Sequence, residues 1–482
     1  MSKLTSSIET PLSESVLADI IPKAKDYALM HGAGMRSRTN FSEDSLINAP
    51  FALLPSSFPR KEFEKAVKIQ PVLNELIHRV AHSYSFLKET LKNACEVDDF
   101  TNKLFNIYET VRAEGPAQKL SLGLVRSDMM LESKCLPDDI STYCCWKQIE
   151  LNTIASGFGW LGPLSAEIHR YVLTELGHHE KLKDLPENKA LTGLAEGIVE
   201  AWNVFNDPTS LVLFVVEDVT YNICDQRFLE FEVRNINHNI RVVRKTHTEI
   251  GKFARLTEDK TMIVDGSPVA VIYFRAGYTP DHYYSQLEWD ARLLMERSTA
   301  IKCPSIHYHL AGAKKVQQAL AKEGTLEKFL SDPNQIQAVK EIFTGLWSLD
   351  YDKEGDAAVE MALKDPGKYV LKPQREGGGN NIYGDLIPEA LLSMAGNKER
   401  SAWILMEKII PPVQSNYLIR AGAEVKCLDI VSELGIYGVV IGDENNIIVN
   451  KQVGHMLRSK ASTANEGGVA GGAGALDSPY LI

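Results

Sequence analysis

Apolar positions recur at two periods along this chain, and the change of period divides it. Leu73, Leu76, Ile77, Val80, Tyr84, Leu87 and Leu91 fall three and four apart, which is one face of a helix. Phe100, Leu104, Tyr108 and Val111 repeat that spacing until Gly115 and Pro116 end it. With a further helix over 16–30, this predicts an N-terminal helical layer. The period then becomes two, because Leu120, Leu122 and Leu124 alternate in a strand that ends at 125–128. A second strand is predicted over 147–153. There Ile149 and Leu151 share one face, so Glu150 and Asn152 point together from the other. Two oxygen ligands side by side on a rigid strand suit half of a Mg2+ site; a solvated edge face with a chance carboxylate accounts for the same pattern.

Helices follow near 164–178 and 187–204, and the unbroken apolar run 211–216 reads as a strand buried on both faces. A helix over 225–235 and strands at 240–244 and 269–274 complete a β-α-β order, a small doubly wound unit spanning roughly 206–302. Its last strand delivers Arg275, Ala276, Gly277 and Tyr278 into a loop, where ligands of such sheets bind. Arg275 can fork a carboxylate there or form an ordinary surface ion pair. His307 and His309 lack a third metal ligand and are taken as ordinary histidines. Further helices are predicted at 316–321, opened by the segment 312–315, and at about 335–348. A strand at 403–408 can present backbone amides to a base. A hairpin carries Glu433 on 430–440 and turns at 443–446 into 447–451. By composition, the Gly/Ala-rich tail 467–474 is a flexible linker.

The stretch 372–383, KPQREGGGNNIY, combines three features that suit a polyphosphate. Gly377, Gly378 and Gly379 remove every Cβ, so backbone N–H groups can approach phosphate oxygens closely. Lys372 supplies a mobile cation, and Glu376 can hold the divalent metal that accompanies ATP. The pattern is neither GxxxxGK[ST] nor GxGxxG, which argues against both of those nucleotide folds. Together Lys314 and Lys372 for phosphates, Glu150, Asn152 and Glu376 for Mg2+, and Arg126, Arg275 and Arg458 as forks fit activation of a carboxylate by ATP.

Composition narrows the setting. The 482 residues, 44% hydrophobic and 24% charged, suit a soluble globular protein of about three domains' worth of chain. No apolar run is long enough for a membrane span, and the N-terminus lacks an apolar signal core, so a cytoplasmic protein with no membrane role is expected. A net charge of −11 argues against nucleic acid as a partner. Seven scattered cysteines without a CxxC pair read as reduced thiols, the neighbours Cys144 and Cys145 included.

The segments RSD (126–128), QIELNTI (148–154), YFRAGY (273–278), LAGAKKVQQAL (310–320), VLKPQREGGGNNIYG (370–384), LMEKI (405–409), SELGIYG (432–438), NKQVGHMLRSKA (450–461) and EGGVAGGAGALDSPY (466–480) closely resemble the eukaryotic glutathione synthetase family. The resemblance runs in order from about residue 120 to the C-terminus. It implies an α/β chain with a circularly permuted ATP-grasp fold: an inserted small α/β substrate-binding domain, an antiparallel lid and an N-terminal helical layer. The expected domains are 1–205, 206–302 and 303–482. It also implies a homodimer that joins γ-glutamylcysteine to glycine with ATP as co-substrate. By motif, Glu150, Asn152 and Glu376 resemble the Mg2+ ligands. Glu150, Lys314, Lys372, Glu376, Gly377, Gly378, Gly379, Asn380, Asn381, Tyr383, Met406, Glu407, Lys408, Ile409, Glu433, Lys460 and Glu466 resemble the ATP site. Arg126, Ser156, Asn222, Gln226, Arg275, Ala276, Gly277, Tyr278, Arg458, Val469 and Ala470 resemble the peptide and glycine site. Arg126, Lys372 and Arg458 are the expected catalytic group, and the glycine-rich tail becomes a loop that closes over substrate.

The chain departs from the family's pattern at two places. Ala155, Ser156 and Gly157 keep one hydroxyl where the family usually has small hydroxyl residues, and Val219, Thr220, Tyr221 and Asn222 lack the charged residues expected before Gln226. Two other readings stand beside the synthetase: a related ligase using another amine such as β-alanine, and an ATP-binding protein without turnover. Loss of a metal carboxylate or the loop lysine would have marked the latter, and neither is lost.

Overall fold

A computed structural model describes residues 2–134, 142–376, 379–465, 467–469 and 473–482. The helical periodicity at its N-terminal side forms Arg60–His82, Tyr84–Cys95 and Asp99–Glu114. The pattern from Leu73 to Leu91 is thus two helices, because Ser83 leaves helical geometry at φ −90°, ψ 85°. Asp98 caps the last of the three, accepting from the Thr101 amide at 3.1 Å. Leu73, Ile77, Val80, Leu87, Leu91, Leu104 and Tyr108 are buried in one cluster that also takes in Val125, Met129 and Leu434 of the sheet. Each such leucine contributes about 2 kcal/mol of burial, so the repeat is what fastens the layer down.

One large sheet organises the rest, and the strand Ser121–Glu132 is its seam. On one side lie parallel strands: Ile301–Cys303 pairs with Ser121–Glu132 and with Ser267–Phe274, which pairs with Leu211–Val215, which pairs with Arg241–Lys245. These strands are enclosed by helices such as Ala190–Phe205 and Ile223–Ile236, which is why the run 211–216 is apolar without alternation. Along that same edge Cys145–Asn152 runs antiparallel to the C-terminal part of Ser121–Glu132, and on the opposite edge Cys427–Gly442 runs antiparallel to it and continues as a hairpin into Ile447–Ala461. A smaller antiparallel sheet orders Leu346–Ser348, Trp403–Glu407, Tyr369–Pro373 and Ile382–Tyr383, and the helix Lys353–Lys364 packs on it through Ala358 and Ala362.

Four expectations change. The first strand continues through Glu132 instead of ending at 125–128. The helix over 335–348 stops at Ile342, because Phe343 turns extended and Leu346–Ser348 pairs with Met406, Leu405 and Ile404. Part of the composition-defined linker is ordered: Gly474–Asp477 is a strand against Leu457–Lys460, so small residues here serve close strand packing. Finally, Cys95, Cys145, Cys224, Cys303 and Cys427 are free thiols and Cys135 lies outside the described residues, but Cys144 is disulfide-bonded, which corrects the expectation that it is a reduced thiol. No helix among the described residues is long and apolar enough to cross a membrane.

Candidate active site

Strand register lines up the chemistry. Arg126 stands opposite Asn152 and Asp128 opposite Glu150, and alternate residues share a face, so four polar side chains of two strands emerge together. The next strand offers Gly435 opposite Asp128, and a Cβ there would come within 2.8 Å of the Arg126 Cδ and 2.9 Å of the Asp128 Oδ1. Glycine at this position lets the pair lie flat against the sheet. Arg126 clamps Asp128 through both oxygens, at 2.6 and 2.7 Å, and donates to the Gly157 carbonyl at 3.1 Å. Asp128 is fully buried and also accepts from Asn152 at 3.0 Å, with Arg458 at 3.5 Å. Arg458 in turn pairs with Glu433, its cross-strand neighbour. Removing one member of such a buried network costs about 3–5 kcal/mol, so the row is rigid as well as charged.

The smaller sheet faces this row. Lys372, on Tyr369–Pro373, is 5% exposed and donates across the cleft to the Ile149 carbonyl at 3.0 Å. Lys314, at the start of the helix Lys314–Leu320, bonds Glu150 at 2.8 Å and both oxygens of Glu376 at 3.1 and 3.2 Å. Arg375 points away from that pair and forks the cap residue Asp98 at 2.7 and 2.8 Å, tying the loop to the helical layer. Burial and charge oppose each other throughout. Burial alone would raise Glu150, but Lys314, Lys372 and Arg458 hold it well below the ordinary carboxylate range. Burial raises Glu376 and Glu433, and the cations beside them only partly offset it. Burial lowers Lys372, whereas Lys314 is held above the usual lysine range by its two carboxylates.

A cavity of about 530 Å3 lies between the sheets. Among the expected residues, its walls take in Arg126, Glu150, Asn152, Asn222, Gln226, Arg275, Tyr278, Lys314, Lys372, Glu376, Asn380, Asn381, Tyr383, Met406, Glu407, Lys408, Ile409, Glu433, Arg458, Lys460 and Val469. Ser156 is elsewhere: it is buried and donates to the Leu124 carbonyl at 3.0 Å, leaving Ala155 and Gly157 on the wall. Ala276 and Gly277 lie behind the wall, where the Gly277 amide donates to His282 Nδ1 at 2.9 Å. Gly379 adopts φ +78° with open space around it. Gly377, Gly378, Glu466 and Ala470 lie outside the described residues. His307 lies apart from this cleft, with both Ser121 and Ser305 hydroxyls 3.1 Å from its Nε2. Asp128, Arg38 and Glu217 are among the wall or network residues absent from the expected set. Glu217 follows the strand Leu211–Val215, so the rule that ligands bind beyond strand carboxyl ends would have found it.

The sequence matches the family described as eukaryotic glutathione synthase, ATP binding domain, over residues 14–481. The chain belongs to that family. It is 42% identical to glutathione synthetase of Xenopus laevis over 469 residues, covering 97% of each chain, and 42% identical to that of Homo sapiens over 468 residues, again with 97% of each covered. The chloroplastic glutathione synthetase of Arabidopsis thaliana is 39% identical, with 98% of this chain and 86% of the plant protein covered. A solved structure of a glutathione synthetase-like effector from Globodera pallida superposes with a TM-score of 0.78 at 25% identity, covering 98% of both chains. As a member of this family the chain is an ATP-dependent ligase, and its α/β ATP-grasp architecture accords with the sequence expectation.

Proposed function

We propose that this chain makes glutathione from γ-glutamylcysteine and glycine, with ATP converted to ADP and phosphate. The observation that carries the reading is the reach of Lys372 and Lys314 from two separate elements onto the strand bearing Glu150 and Asn152. The cysteine carboxylate of the dipeptide attacks the terminal phosphorus of ATP, the bond to ADP breaks, and an acyl phosphate results. The glycine amine then attacks the acyl carbon, phosphate leaves with its electron pair, and the amine gives up a proton. Lys372 and Lys314 offset charge on the transferring group, Arg126 and Arg458 hold the acyl end, and Arg275 binds the dipeptide's far carboxylate.

Glu150, Asn152 and Glu376 fit a Mg2+ site, because the two carboxylates already converge on one ammonium and the amide stands beside them. Held there, the ion would supply charge neutralisation to the polyphosphate. The purified protein should release ADP only when dipeptide and glycine are both present; ADP release indifferent to the dipeptide overturns the reading. Replacing glycine by β-alanine separates it from the related ligase. A cytoplasmic homodimer is part of the same proposal. Met30 is 81% and Phe231 52% exposed, and Phe41, Leu46 and Ile47 add apolar surface near the segment where Gly32 abuts Phe228. A Met30→Glu variant should sediment as a smaller species if that surface is the dimer contact.

A further inference from the structure

Five acidic side chains line the cavity among the described residues, and four already have a cation. Glu150 and Glu376 share Lys314, Glu407 pairs with Lys134, and Glu433 pairs with Arg458. Glu217 is the fifth. Among the described residues it has no Lys or Arg within ion-pair reach; its contacts are the Tyr278 hydroxyl, which donates at 3.3 Å, and His282 Nε2 at 3.7 Å. The Gly277 amide donates to His282 Nδ1, so a neutral ring carries its proton on Nε2 and turns it toward Glu217. The carboxylate is therefore held by one hydroxyl donor with an imidazole edge beside it, and no Lys or Arg among the described residues offsets its charge toward the cavity.

Its place in the fold says what that charge meets. Val215 stands opposite Phe274 in parallel strands, so the two loops carrying Glu217 and Arg275 leave the sheet side by side, and the Arg275 amide donates to the Val215 carbonyl at 2.8 Å. Arg275 is 7% exposed; among the described residues its Nε has no partner, Tyr273 is a further side-chain neighbour, and its contact with Asp225 is long at 3.5 Å. The cleft end away from Lys314 and Lys372 thus presents one under-used cation and one uncompensated anion on adjacent loops. A free α-amino acid head, ammonium beside carboxylate, has that pair of charges. A dipeptide activated at its cysteine carboxylate carries such a head at the opposite end, on its γ-glutamyl residue.

We infer that Glu217 is the residue that binds the α-ammonium of the γ-glutamyl head and so determines that the acyl substrate is a zwitterionic γ-glutamyl compound. The inference rests on the ligase reading above for the identity of the ligand. It accounts for a chain that lacks charge at 219–222 and yet takes a charged dipeptide: the anion sits a few residues earlier, at the strand end.

The test compares γ-glutamylcysteine with glutarylcysteine, which lacks only the α-ammonium, by calorimetry on the full chain with ATP absent, and by ADP release. Wild type should bind γ-glutamylcysteine about 10-fold to 100-fold more tightly than the glutaryl compound. Glu217→Gln, which can still accept from the Tyr278 hydroxyl, should bring the two to within about threefold while the KM for ATP stays unchanged. A purely structural role would weaken both ligands alike and keep the ratio. An unchanged ratio in the variant, equal binding of the two by wild type, or binding of neither overturns the assignment. Binding with the expected ratio but no ADP release instead overturns the ligase reaction and leaves the Glu217 assignment standing.

Discussion

At the end of the cleft proposed to hold the phosphates, Lys314 is compensated by Glu150 and Glu376, and Lys372 leans on a backbone carbonyl beside them. At the other end, among the described residues, Arg275 keeps an unpaired Nε and Glu217 has only a tyrosine and a histidine for company. The first arrangement is internally neutral, so bringing in a polyphosphate requires exchanging existing ion pairs for new ones. The second is already polarised, and its charges gain partners only when ligand arrives. Backbone conformation follows the same division. Ala155 at φ +50° and Phe158 at φ +71° are left-handed residues without being glycine, and both line the cavity on the peptide side. Strain of this kind costs about 1–3 kcal/mol and persists where surrounding contacts over-determine it. Here Asp225 does so, accepting from the Phe158 and Trp160 amides at 2.8 and 3.1 Å.

The largest effect should come from the compensated end. Lys372→Met should lower kcat about a thousandfold in an ADP-release assay, because it deletes charge needed mainly in the transition state. Its unfolding temperature should hold, since burial already disfavours the charge of this lysine and its hydrogen bond is to a backbone carbonyl. Near-normal turnover would mean the loop is not the phosphate cradle. Glu150→Gln should reduce turnover about 100-fold and raise the Mg2+ concentration needed for half-maximal rate. A rate loss without a change in Mg2+ dependence would remove Glu150 from the metal set. At the polarised end, Arg275→Lys should raise the KM for dipeptide about 10-fold while leaving that for ATP alone, because an ammonium cannot reproduce a guanidinium fork. Equal effects on both KM values would erase the distinction between the two ends.

A smaller effect separates the scaffold from both ends. Burial, the leading cause in each, pushes His78 and His169 down to about 4 and His247 and His455 to about 3. The folded chain keeps these rings neutral while the unfolded chain protonates them near pH 6.5, so their stability is present above that pH and lost as pH falls toward 4. Each should remove about 1.4 kcal/mol by pH 5.5, lowering the unfolding midpoint relative to pH 7.5. A midpoint unchanged or raised at pH 5.5 would contradict the neutral burial. Smallest of all, Ala155→Gly should change stability by no more than about 1 kcal/mol, because relief of the left-handed strain is offset by added freedom in the unfolded chain. A larger loss, measured by denaturant unfolding, would show that the Ala155 methyl itself holds the peptide wall.

The sequence alone determined what depends on near neighbours along the chain. Helices and strands followed from spacings of three to four and of two, and Glu150 and Asn152 had to share a face because strand side chains alternate. KPQREGGGNN carried its chemistry in one continuous stretch, so its resemblance could be read without a fold. Whatever depended on pairing between distant segments was decided by tertiary structure. No local feature says that Leu346–Ser348 leaves a helical pattern to pair with Met406, Leu405 and Ile404, because the partner's hydrogen bonds decide the matter. Likewise Ser156 looked available beside the metal strand, but its hydroxyl is taken by the Leu124 carbonyl of the neighbouring strand. The charge on Glu217 is the clearest case. Whether a carboxylate is free or compensated depends on which cations the fold brings within 4 Å, and those come from residues scattered along the chain.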